Sequence, residues 1–266
     1  MSNTNDNYLF LGLPKSGKTT YLALMAQHLQ DAANRSSKLN FRSLATRVLN
    51  QQAGKVCEEE ITTQFIDDCI FRLRQQAWPV KTQGYEQGYS FELKIYPRFF
   101  GISLYYRSAV IDYHDYPGEA FEVAFGVGDE PSPRMQQIGL DLKKRISTAR
   151  GIFLIIDTDN VFNGVDALKH REILTKLFRY IHSSNPQIKL AVIFNKLELF
   201  DGKEPDFVRK FRSEFSNAYA YLPPSHKFFN VYPLGKVVTT EDGNIIPPRP
   251  LQPRNILDPV RWMFGF

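Results

Sequence analysis

A three-layer α/β fold, with a mostly parallel sheet that carries one antiparallel hairpin strand, is what this sequence predicts. Three observations lead there. The runs GIFLIID (151–157) and KLAVIFNK (189–196) are apolar almost throughout rather than alternating, as strands buried on both faces are. Stretches with apolar residues at helical spacing lie between such runs, so strands and helices alternate along the chain. Residues 89–98 and 102–113 are both strand-like and are separated by a short turn, which makes a hairpin.

In chain order, residues 8–11 are the first short strand, and 18–31 a helix with Tyr21, Leu22, Met25 and Leu29 on its apolar face. Residues 40–77 are rich in Arg, Gln and Glu with spaced apolar positions and predict one or two helices, a helical insert. WPVKTQGYEQGY then breaks the pattern with a proline and two glycines, which predicts a loop before the hairpin. The Gly- and Pro-rich stretch 117–133 predicts a mobile loop, and 134–148 a helix. The strand 151–157 ends in Asp157; an amphipathic helix at 167–182, the strand 189–196, a helix at 205–221 and a strand and loop at 228–235 follow. A Pro-rich tail at about 241–266 ends in a short apolar helix, DPVRWMFGF. No repeat and no long linker divides the chain, so residues 1–266 predict one domain.

Composition narrows the classes. Of 266 residues, 43% are hydrophobic and 14% aromatic, enough for a sizeable core and against wholesale disorder. The net charge of +5, from 33 basic and 28 acidic residues well mixed, forms no basic block, which argues against nucleic acid as a partner. Cys57 and Cys69 have no metal-ligand spacing and read as reduced thiols. The polar start MSNTNDN shows no leader pattern, and no apolar run approaches a membrane span, so a cytoplasmic protein is expected.

The chemistry begins at Gly12-Leu-Pro-Lys-Ser-Gly17-Lys18-Thr19, which matches G-x-x-x-x-G-K-[ST] where a strand turns into a helix. Gly12 and Gly17 allow the backbone to wrap closely enough for successive N–H groups to face phosphate oxygens. Pro14 has no N–H, so the donors run from Lys15 through Ser16, Gly17, Lys18, Thr19 and Thr20, at a helix start whose dipole adds to the attraction. Lys18 is placed to reach the β- and γ-phosphates, and Thr19 to offer a hydroxyl to Mg²⁺. The fold class is therefore a three-layer P-loop NTPase fold.

Three later stretches bear on the nucleotide. Residues 114–119 read HDYPGE, in which Asp115 and Gly118 form D-x-x-G: a carboxylate for Mg²⁺ and a glycine N–H for the γ-phosphate. Asp112 competes for the metal role. Asn195-Lys196-Leu197-Glu198 follows directly after a buried strand, and Leu234-Gly235 ends the run NVYPLG.

P-loop, hairpin, D-x-x-G and then N-K-x-[D/E], in that order, resemble the Ras-like (TRAFAC) GTPases over residues 7–240. The resemblance implies GTP and GDP as ligands and Mg²⁺ as cofactor. It implies that Asn195 bonds the base, that the Lys196 stem packs over it, and that Glu198 accepts the two guanine N–H donors. Glu198 is one methylene longer than the usual aspartate. Leu234 would close the base pocket, although Tyr232 and Pro233 replace its usual Ser-Ala. Thr82, just before the hairpin, would be the switch threonine closing over Mg²⁺. Glu119 stands where many such proteins have glutamine to orient water, which implies slow hydrolysis stimulated by a protein partner. Arg134, Arg145 and Arg150 are the candidates for an internal arginine. More narrowly, LGLPKSGKTTYLALM, WPVKTQG, YPGE and LDPVRWMF are similar to the bacterial double-GTPase family, subunits of multi-protein conflict systems. Two readings follow: a GTPase switch with Lys18, Thr82, Gly118 and Glu119 at the reacting phosphate, or a nucleotide-binding scaffold with little hydrolysis. An ATP-dependent kinase would leave D-x-x-G and N-K-x-E unexplained.

Overall fold

The computed structural model describes residues 6–13, 16–44, 46–50, 55–59, 61–80, 88–96, 98–99, 102–103, 107–114, 116, 118–127, 131–197 and 207–266. The first strand, β1 (Asp6–Gly12), sends Tyr8 and Phe10 into one core and Leu9 and Leu11 into another, as a strand buried on both faces must. Helix α1 (Lys18–Arg35) buries Tyr21, Leu22, Met25 and Leu29, the face its spacing predicts.

The expected helical insert at 40–77 is only half helix. Its first part holds strands β2 (Leu39–Ser43), β3 (Thr46–Asn50) and β4 (Lys55–Glu59), and α2 (Ile61–Arg74) follows. In β2, Leu39 and Phe41 are buried while Asn40 and Arg42 are exposed, a period of two that outweighs the helix-favouring composition. In α2, Cys69, Ile70 and Leu73 are buried, and Phe65 stacks on Tyr89 with ring centroids 4.1 Å apart. Burial pushes the Cys69 thiol up to about 12, so it stays protonated and inert.

Next come β5 (Gly88–Ile95), the two-residue ladder of β6 (Arg98–Phe99) with β7 (Ile102–Ser103), and β8 (Arg107–His114). Strands β5 and β8 are the expected hairpin. The stretch 117–133, expected as loop, contains α3 (Gly118–Ala124) before α4 (Pro133–Thr148). Ala120, Phe121, Ala124 and Phe125 lie one and four apart and are all buried, which supplies the apolar face that the Gly and Pro content obscures.

The remaining elements are β9 (Gly151–Asp157), α5 (Thr158–Asn163), α6 (Ala167–Ser184), β10 (Lys189–Asn195), α7 (Phe207–Glu214), α8 (Ser216–Tyr219), β11 (His226–Asn230), β12 (Val238–Thr239), β13 (Ile245–Ile246) and α9 (Asp258–Phe264). The Pro-rich tail at about 241–266 also contributes β13, which pairs with β12 just before it in a short antiparallel ladder.

Seven strands form one mixed sheet in the order β11-β10-β9-β1-β8-β5-β2. The pairings from β11 to β8 are parallel, whereas β5 is antiparallel to both β8 and β2, so β5 alone runs against the rest. One core lies under α1, α2 and α9, and the other under α3 to α8. Helix α9 seals the first core: Phe264 packs edge-on to Tyr8 at 4.5 Å, and the Tyr21 hydroxyl donates to the Ile256 carbonyl at 2.9 Å. Among the described residues no helix is long and apolar enough to cross a membrane.

Because β1, β9 and β10 are parallel, their C-terminal ends share one edge of the sheet. Gly12 lies abreast of Ile155, and Asn195 abreast of Asp157. The segments that leave these strands therefore meet, as expected for a ligand crevice at the carboxyl edge of a parallel sheet.

Candidate nucleotide-binding site

The loop after β1 turns back on itself within a few residues. Ser16 N–H donates to the Leu13 carbonyl at 3.3 Å, and Gly17 adopts φ +78° before α1 begins at Lys18. Two glycines are required. A Cβ on Gly12 would come within 2.7–2.9 Å of Ser16 Oγ, the Ile155 carbonyl and Lys18 Cγ, and one on Gly17 within 2.6 Å of Asn195 Nδ2.

Lys18 is 8% exposed, and its ammonium donates to the carbonyls of Gly12 and Leu13 at 3.1 and 3.2 Å. A buried cation held by the carbonyls that enter the loop gives a focused positive site for an anion. Thr19 and Thr20 stand half-buried in the first turn of α1.

Asn195 ends β10 and is 1% exposed. Its Nδ2 donates to the Ser16 carbonyl at 2.7 Å, which joins the base-loop candidate to the phosphate-loop candidate directly. Asn195 Oδ1 and Ser16 Oγ are buried without a partner among the described residues. Buried polar atoms in native proteins are nearly always paired, so this is where a ligand's donors would be taken up. Lys196 has φ +61°, and its ammonium meets Asp157 Oδ2 at 2.6 Å. Thr158 Oγ1 donates to the Asn195 carbonyl at 2.7 Å.

The structure thus brings together Gly12, Ser16, Gly17, Lys18, Thr19, Asn195 and Lys196. Leu234 is buried in the core beneath α1, and its carbonyl accepts from Gln252 N–H of the tail at 3.1 Å. Gly118 opens α3 and Glu119 lies in its first turn. Lys15, Thr82, Asp115 and Glu198 lie outside the described residues.

The structure also places Asp112, Arg145 and Arg150, which the sequence left as alternatives. Asp112 pairs in register with Leu9, three residues before Gly12 and so about 10 Å short of the loop at ~3.3 Å per residue. Its Oδ1 also accepts from Ser90 Oγ at 2.7 Å. Arg150 N–H bonds the Asn7 carbonyl at the opposite end of β1, so it leads away from the phosphate loop. Arg145 is engaged with Asp141 at 2.8 Å.

Asp157 and Thr158 were not singled out by spacing. The visible signal was an acid ending a wholly apolar strand, a position whose side chain must leave the core for the crevice. For Mg²⁺, among the described residues no group of three or more His, Cys, Asp or Glu is placed to hold a metal ion. Thr19 is the one expected ligand that is described, and it lies half-buried in the first turn of α1.

No protein-family model and no curated protein matches the chain. Solved structures similar to it include the signal recognition particle receptor SRb-GTP/SRX complex from Chaetomium thermophilum, at TM-score 0.43 and 15% identity over 88% of this chain and 94% of that one. Another is the ADP-ribosylation factor-like GTP-binding protein, small COPII coat GTPase SAR1, from Encephalitozoon cuniculi with GDP, at 0.38 and 13% over 87% and 71%. A third is sup35 complexed with GDP, at 0.32 and 11% over 86% of this chain and 37% of that one.

Proposed function

We propose that the chain is a guanine-nucleotide-binding switch that hydrolyses GTP slowly and is stimulated by a protein partner. The observation that carries this reading is the Asn195–Ser16 bond, which joins an N-K-x-E step to a phosphate loop whose lysine is already caged by its own carbonyls. A phosphate chain and a base would then be held by two segments that move as one. Lys18 neutralises charge on the β- and γ-phosphates, and the loop amides with Gly118 hold the oxygens, so positioning and electrostatics supply most of the catalysis. Mg²⁺ would be held by Thr19 with Asp115 and Thr82, where it neutralises charge shared by the same two phosphates. Residues 1–266 act as one unit in this reading, in the cytoplasm, as a subunit of a multi-protein bacterial defence system.

Ordering of the switch segments tests the reading. A non-hydrolysable GTP analogue is expected to slow hydrogen exchange at residues 78–88 and 115–133 relative to GDP, because only the γ-phosphate with its metal can tether them. Thr82→Ala should cancel most of the change at 78–88. Equal exchange in both nucleotide states would make the chain a binding scaffold instead.

A further inference from the structure

We infer that Asp157 and Thr158 are positioning residues for purine recognition, which set the Asn195–Lys196 step in its binding geometry before a nucleotide arrives. The inference rests on the reading of that step as the base-recognition element. Lys196 sits at φ +61°, a conformation unfavourable for a residue with a Cβ, and such strain persists only where neighbours over-determine it. The neighbours are identifiable. Lys196 Nζ lies 2.6 Å from Asp157 Oδ2, and its Cε lies 3.6 Å from where a Cβ on Gly17 would stand. The stem is thus drawn across the end of the phosphate loop and pinned at its tip. A lysine tethered in this way presents its methylene face as a fixed platform for an aromatic ring, and the rotamer entropy of that stem is already lost before binding.

Asp157 can pin the lysine because it is itself held. It is 5% exposed, and its Oδ1 accepts from the Asn160 N–H at 3.2 Å as the N-cap of α5. Thr158, fully buried, donates to the Asn195 carbonyl at 2.7 Å and fixes the backbone just before the strained residue. Strand register makes both contacts: Asn195 and Asp157 are partners across β10 and β9.

Two substitutions isolate these roles. Asp157→Asn removes the charge but keeps a good N-cap. Thr158→Val keeps the shape and removes the hydroxyl. Calorimetry with GDP, ADP and inorganic tripolyphosphate then separates base from phosphate. Each variant is expected to bind GDP about tenfold more weakly, as loss of a bond to a charged or buried group implies, with the GDP-to-ADP ratio reduced. Tripolyphosphate affinity should be unchanged, and Asp157→Glu, which keeps the charge, should recover most of the GDP affinity. An equal loss for tripolyphosphate and GDP would mean general damage to the site and overturn the inference, as would unchanged GDP affinity. Wild-type protein that binds tripolyphosphate but prefers no guanine nucleotide would instead overturn the base-recognition reading on which it rests.

Discussion

Lys18→Ala is expected to abolish triphosphate binding while the fold stays intact. The ammonium is almost wholly buried, and its two carbonyl partners aim it into the bowl of the loop. A phosphate oxygen entering that bowl meets a full positive charge at close range. One such pair is worth about 4 kcal/mol at a near-surface effective dielectric, close to a thousandfold in affinity. Stability should fall only modestly, because removing a desolvated cation offsets part of the cost of leaving two buried carbonyls unpaired. Calorimetric titration with GTP and thermal melting of the free protein check the two halves. Unchanged GTP affinity would remove the phosphate site from the account.

Gly17→Ala should damage both binding and stability. At φ +78° an alanine costs about 1–2 kcal/mol, and its Cβ would lie 2.6 Å from Asn195 Nδ2, an overlap that adds about 1–3 kcal/mol. Relief requires Asn195 to leave the Ser16 carbonyl, which uncouples the two loops. Gly126→Ala is the control: it has φ +61° but open space around the added Cβ, so only the backbone cost applies. Denaturant unfolding should show a markedly larger loss for position 17 than for position 126. Equal losses would mean that the Asn195 contact contributes nothing.

The phosphate loop and the parallel strands were legible because their signals are local: fixed glycine spacing at a strand-to-helix turn, and unbroken apolar runs at 152–156 and 190–194. What was hidden depends on partners far along the chain. Leu39 and Phe41 make sense as alternating core positions only once β2 lies against β5. Helix α3 was masked by the glycines and prolines around it, though Ala120, Phe121 and Ala124 form its buried face. Asp157 meets Lys196 through cross-strand register, which no spacing within one segment reveals. The place of Asp112 in β8 opposite Leu9 is likewise a matter of register that spacing does not show.

Base selectivity is the most direct test of the central claim. Wild-type protein with Mg²⁺ is titrated calorimetrically with GTP, GDP, ATP and ADP, and Glu198→Ala is titrated in parallel. A site built to pair with the two guanine N–H groups leaves its acceptors unpaired with adenine, at a cost of about 1–3 kcal/mol, or roughly fivefold to a hundredfold in affinity. Guanine nucleotides are expected to bind at least about fivefold more tightly, and Glu198→Ala is expected to erode the difference. Equal affinity for GTP and ATP in the wild type would contradict that claim and leave a phosphate-binding protein without a guanine site.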